Sequence, residues 1–107
     1  MKKVEITPSD LSPDSSIKIS GSKSESNRVL ILNSIFKNIK ISNLSDSDDS
    51  VVLKNALENL HKNIDIHHAG TAMRFLTAYL STLDGGKFIL TGSKRMKERP
   101  ISILVDA

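Results

Sequence analysis

Three stretches of this chain share one local form, a glycine with a cation nearby that leads into an apolar helix. They are Gly21 with Lys23 and Arg28, Gly70 with Arg74, and Gly92 with Arg95. A short run that reads as a strand leads into each of them, at residues 17–20, 63–67 and 87–92. Strand, glycine turn and helix, taken repeatedly, restrict the chain to an α/β architecture. Glycine permits a tight turn and close approach of a ligand to the backbone. Arginine grips a carboxylate or phosphate through two parallel hydrogen bonds, while lysine acts as a point charge. A helix start adds unpaired N–H groups and a partial positive charge. If the three turns meet on one edge of the fold, they form a multi-cation pocket suited to phosphorylated metabolites. Taken alone, the stretch 21–30 is open between an anion site and an ordinary serine-capped helix.

The rest of the chain reads around these turns. Residues 3–7 alternate and predict a short strand, followed by a Pro- and Ser-rich loop over 8–16. A helix is predicted from Ser24 or Glu25 to Lys37. Val29, Leu30, Ile31, Leu32, Ile35 and Phe36 make it apolar around most of its circumference, so it should be largely buried. Residues 39–42 alternate again. Ser47 or Asp48 can cap a helix carrying Val52, Leu53, Ala56, Leu57 and Leu60 on one face. Helical spacing predicts the next helix from Thr71 to about Leu83, closed by Asp84, Gly85 and Gly86. Residues 93–99 form a cationic turn, and Pro100 suits the first position of a last helix. The chain stops about two turns into that helix with no cap, so it reads as a piece of a larger protein.

Composition removes several functions. There is no cysteine, which excludes disulfides, thiolate zinc sites and thiol nucleophiles. Aromatics make up 4% of residues with no Trp, so stacking platforms for single-stranded nucleic acid are unsupported. The net charge of +3 is mild and its lysines are scattered, a weak basis for bulk nucleic-acid attraction. No signal-like run or membrane-length apolar stretch occurs, which predicts a soluble, cytoplasmic protein without membrane partners. The upstream glycine of a phosphate-binding P-loop, a GxGxxG fingerprint and a serine nucleophile elbow are all absent. His67 and His68 are neighbours on a predicted strand and point to opposite faces, so no metal centre is expected from them. His61 reads as an exposed helix residue. Asp46, Asp48 and Asp49 suit helix capping better than a Mg²⁺ site. Phe75 and Tyr79 read as core.

Three stretches resemble a known family. They are Gly21-Ser22-Lys23-Ser24-Glu25-Ser26-Asn27-Arg28, Ala69-Gly70-Thr71-Ala72-Met73-Arg74, and Leu90-Thr91-Gly92-Ser93-Lys94-Arg95-Met96-Lys97-Glu98-Arg99-Pro100-Ile101. In this order they resemble the N-terminal part of the 5-enolpyruvylshikimate-3-phosphate synthases, and residues 44–49 are similar to that family's Asp-Ser-Asp-Asp turn. The sister UDP-N-acetylglucosamine enolpyruvyl transferases share the fold. They carry Lys-Asn where this chain has Lys23-Ser24, and a cysteine it lacks.

The resemblance implies a fold and a reaction. The fold is built of βαβαββ units, an inside-out α/β barrel. Residues 1–16 would be a strand and linker of the other domain, and residues 17–107 the first unit with the start of a second. The implied reaction moves the enolpyruvyl group of phosphoenolpyruvate to the 5-hydroxyl of shikimate-3-phosphate, without metal or organic cofactor. By motif, Lys23 would contact both substrates and stabilise developing charge. Ser24 and Arg28 would bind shikimate-3-phosphate. Gly70 and Arg95 would hold the phosphate of phosphoenolpyruvate, with Thr71 and Arg74 supporting that loop. The chain departs from the family at His68, where Asn is frequent, and at Phe75, where Pro is frequent. The connection over 60–68 is also short. Family members are several-fold longer, so this chain alone is expected to be inactive, and its exposed helix faces are expected to favour self-association, whereas the full-length enzyme is expected to be a monomer. The competing expectation from the residues is a non-catalytic anion-binding module.

Overall fold

A computed structural model describes residues 2–107. The first helix, α1 (Lys23–Phe36), starts where the Ser22 hydroxyl accepts the Glu25 N–H, and ends where Lys37 turns left-handed at φ 57°. The second, α2 (Asp48–Glu58), is capped in the same way by Ser47, with Asp48 and Asp49 in its first turn complementing the dipole. Leu60 lies beyond the end of α2 and is exposed, not on its inner face.

Strand β1 (Asn63–Asp65), helix α3 (Gly70–Ser81) and strand β2 (Ile89–Thr91) follow as one βαβ unit. The two strands are parallel, with Ile64 opposite Leu90, which requires a crossover such as α3 between them. The ladder continues past the strands, as Ile66 N–H donates to the Thr91 carbonyl at 2.9 Å and Ser93 N–H to the His67 carbonyl at 3.0 Å. His67 sits at φ 51°, with the Asp65 carboxylate accepting its N–H, and this turn ends the strand short of the expected residue 67. The cationic stretch 93–99 folds into a one-turn helix, α4 (Lys94–Lys97), capped by Ser93. The last helix, α5 (Ser102–Asp106), starts after Ile101. Pro100 therefore stands outside it and not at its first position. Ile103 on α5 is 88% exposed.

The core is shared by α1, α2, β1, α3 and Met96. Leu53, Ile66, Ala72 and Leu76 are wholly buried in it. The even spacing of Ala72, Leu76 and Leu80 lays one stripe of α3 along this core. Buried polar contacts join α1 to α2. The Ser50 hydroxyl donates to Asn27 Oδ1 at 2.8 Å, and Ser26 Oγ accepts the Ser45 N–H at 2.9 Å.

Four expectations are corrected. Residues 3–7, 17–20 and 39–42 are not strands, since no second segment offers them a ladder. Instead, Val4, Ile6, Ile17 and Ile19 are each more than 70% exposed, and the Ile39 N–H is taken by the Asn33 side chain. Helix α1 is not largely buried. It packs along one side only, leaving Ile35 55% and Phe36 62% exposed.

Candidate anion-binding site

The glycine turns differ in what they touch. Gly21 lies against the 43–44 backbone, where a Cβ would collide with the Asn43 carbonyl oxygen. Ser20 Oγ accepts the Asp46 N–H at 3.0 Å, which ties this turn to the entry of α2. The next residues project from the start of α1. Lys23 and Ser24 are exposed. Arg28 donates to the Ser24 carbonyl at 2.9 Å, and its guanidinium carbon sits 5.6 Å from the centre of the Phe75 ring on α3. The same arginine lines an apolar groove with Ile31, Ile35, Phe75 and Tyr79, so Phe75 and Tyr79 are half-buried and not sealed in the core.

At the start of α3, Ala69 provides no side-chain cap. The role passes to Asp49 on α2, whose Oδ2 accepts the Thr71 N–H at 3.0 Å. Arg74 reaches back along the helix to the Gly70 carbonyl at 3.2 Å and across to the Pro100 carbonyl at 3.2 Å. One guanidinium thus joins the Gly70 turn to the segment that follows α4.

The Gly92 turn brings α4 beside the Gly70 turn. A cleft of about 420 Å³ opens between them, lined by His68, Ser93, Arg95, Met96 and Arg99. Ser93 Oγ accepts the Met96 N–H at 3.2 Å and lies 3.1 Å from His68 Nδ1. The Arg99 side chain belongs to this lining and its guanidinium lies directly over Gly70, where any Cβ would collide with Nη1.

Two of the three turns therefore meet, through Ser93 against His67 and His68 and through Arg99 over Gly70. The groove holding Arg28 shares no lining residue with the cleft holding Arg95. Among the described residues, no cluster of three His, Asp or Glu side chains has metal-site geometry. No helix among them is long and apolar enough to cross a membrane. The cap from Asp49 and the placement of Arg99 over Gly70 were not read from the sequence. Each joins residues more than twenty positions apart, and no local spacing signals it.

Known proteins similar to the chain form one group. The family model of EPSP synthase (3-phosphoshikimate 1-carboxyvinyltransferase) matches residues 53–107. A 3-phosphoshikimate 1-carboxyvinyltransferase of Bacteroides fragilis is 53% identical over 92 residues, covering 85% of this chain and 22% of the relative. One from Haemophilus influenzae is 39% identical over 137 residues, covering 100% of this chain and 31% of the relative. The pentafunctional AROM polypeptide of Schizosaccharomyces japonicus is 36% identical over 97% of this chain and 8% of its own length. The chain thus spans less than a third of the relatives it matches. No solved structure matches it.

Proposed function

Because the chain belongs to the EPSP synthase family, we propose that it forms part of a 3-phosphoshikimate 1-carboxyvinyltransferase. The reaction transfers the enolpyruvyl group of phosphoenolpyruvate to the 5-hydroxyl of shikimate-3-phosphate and releases phosphate. The observation that carries this reading is the meeting of the Gly70 and Arg95 turns at one cationic cleft. Its arginines suit the phosphate that becomes the leaving group. Lys23, Ser24 and Arg28 are assigned to shikimate-3-phosphate, with Arg28 on its carboxylate and Lys23 also reaching phosphoenolpyruvate. The exposure of Lys23 and Ser24 at a helix start supports that assignment. Thr71 and Arg74 are assigned to hold the Gly70 loop, supported by their bonds to Asp49, the Gly70 carbonyl and Pro100.

The chemistry proceeds by addition and elimination. The 5-hydroxyl gives up its proton as its oxygen adds to C2 of phosphoenolpyruvate, and a proton is added at C3. Loss of a C3 proton then expels phosphate and restores the double bond. The contribution assigned to this chain is electrostatic, with the charges of Lys23 and Arg95 opposing those of the two substrates. No residue of the chain is assigned the proton transfers, so it is expected to be inactive alone. We assign residues 1–16 to a second domain and the rest to a βαβαββ unit of an inside-out barrel. The parallel βαβ core supports the latter.

A ¹⁵N NMR titration of the chain tests the assignment. Shikimate-3-phosphate should shift amides over 23–28, an effect lost in Arg28→Ala, and phosphoenolpyruvate should shift Gly70 and Arg95. Absence of both responses at millimolar ligand rejects the reading. Phosphate release from the two substrates by this chain alone would overturn the predicted inactivity.

A further inference from the structure

The cleft beside Gly70 holds more positive charge than Arg95 supplies. Arg99 follows α4, where its N–H donates to the Met96 carbonyl at 3.2 Å and turns the chain back. That turn carries its guanidinium into the wall opposite His68 and over Gly70. Among the described residues the basic side chains that approach a carboxylate within 4.0 Å are Lys54 at Glu58 and His67 at Asp65, so neither Arg95 nor Arg99 faces a carboxylate. Two unneutralised guanidiniums in one cleft repel each other, and an anion between them removes that cost.

The third wall adds a neutral donor. Ser93 Oγ accepts from Met96 N–H and lies 3.1 Å from His68 Nδ1. Whichever of the two donates in that contact, the pair keeps one O–H or N–H for a ligand. The cleft therefore presents donors and no anionic acceptor.

We propose that Arg99 acts with Arg95 as a two-guanidinium clamp on the phosphate of phosphoenolpyruvate, and that this clamp selects a phosphate dianion over a carboxylate. A phosphate monoester offers three terminal oxygens, enough to engage two planar forks, whereas a carboxylate fills only one. The inference rests on the proposed function, which puts that phosphate in this cleft. Arg99 lies against a residue that has no side chain, and its guanidinium makes no hydrogen bond among the described residues, so it can pivot from Gly70 onto a ligand.

The test is NMR titration of the chain and of its Arg99→Gln, Arg99→Lys and Arg95→Gln variants with inorganic phosphate, phosphoenolpyruvate and pyruvate. Unchanged amide shifts for Leu53 and Leu76 establish that each variant is folded. Arg99→Gln should weaken phosphate and phosphoenolpyruvate by about tenfold each and leave pyruvate unchanged, with Arg99→Lys recovering part of the loss. If Arg95→Gln loses phosphate and Arg99→Gln stays within about twofold of the parent, the clamp is overturned and the proposed function stands. If neither variant alters phosphate binding, the cleft is not the phosphate site, and both readings fall.

Discussion

Individual residues in this protein are held by contacts that no local pattern announces. Ser50 is buried and gives its hydroxyl to Asn27 Oδ1, while Asn27 Nδ2 has no partner among the described residues. Ser50→Ala would leave the amide unpaired at both ends. The expected loss is about 1–3 kcal/mol, measurable by urea unfolding. Asp49 gives a second case. Asp49→Ala removes the cap on α3 and is expected to cost about 1 kcal/mol, with Asn recovering most of it because its carbonyl oxygen still accepts. An equal loss in Asp49→Asn and Asp49→Ala would reject the capping role. The sequence identified the aspartates as capping residues but matched them to their own helix, because capping rules are local and this bond spans the α2–α3 interface. The cations were legible for the opposite reason. Lys23, Arg28, Arg74 and Arg95 each follow a glycine closely in the chain. Arg99 touches Gly70 only through the fold and stayed hidden.

The elements divide by whether a partner is available. The three longer helices were legible because apolar residues recur at three and four positions, with Ser47 marking the start of α2, whereas the single turn of α4 was read as a cationic turn. Strands β1 and β2 were legible too, and each has the other as its ladder. The equally regular alternation at 3–7, 17–20 and 39–42 formed nothing, because alternation reports a preference for a pleated surface and not the presence of one. The same logic explains α1, whose apolar residues exceed the surface available to cover them. Substitutions should follow this division. Leu76→Ala on α3, at a wholly buried site, is expected to cost about 2–5 kcal/mol. Ile103→Ala on α5 is expected to stay within about 0.5 kcal/mol, although the two side chains are isomers of equal size. Thermal unfolding of the two variants checks the contrast, and a comparable loss in both would show that α5 is packed in solution.

At the scale of the whole molecule, the radius of gyration is 17.7 Å and the longest dimension 59 Å. A compact domain of this length would have a radius near 13 Å, so the excess records chain that is outside the packed body. That chain is the N-terminal arm, extended and exposed until Ser20 is fastened to the loop before α2. Trypsin needs accessible chain that can stretch through its site, and Lys3 and Lys18 offer it, whereas Lys40 and Lys87 are exposed but sit in short segments anchored by the packed Ile41 and Phe88, and Lys54 lies within a hydrogen-bonded helix. Brief digestion should release the first 18 residues and leave a resistant product beginning at Ile19, read by mass spectrometry. The trimmed product should melt at an unchanged temperature, because the severed side chains bury nothing. A protease therefore encounters this protein as two objects, a tether that is cut at first contact and a body that must open before it is cut.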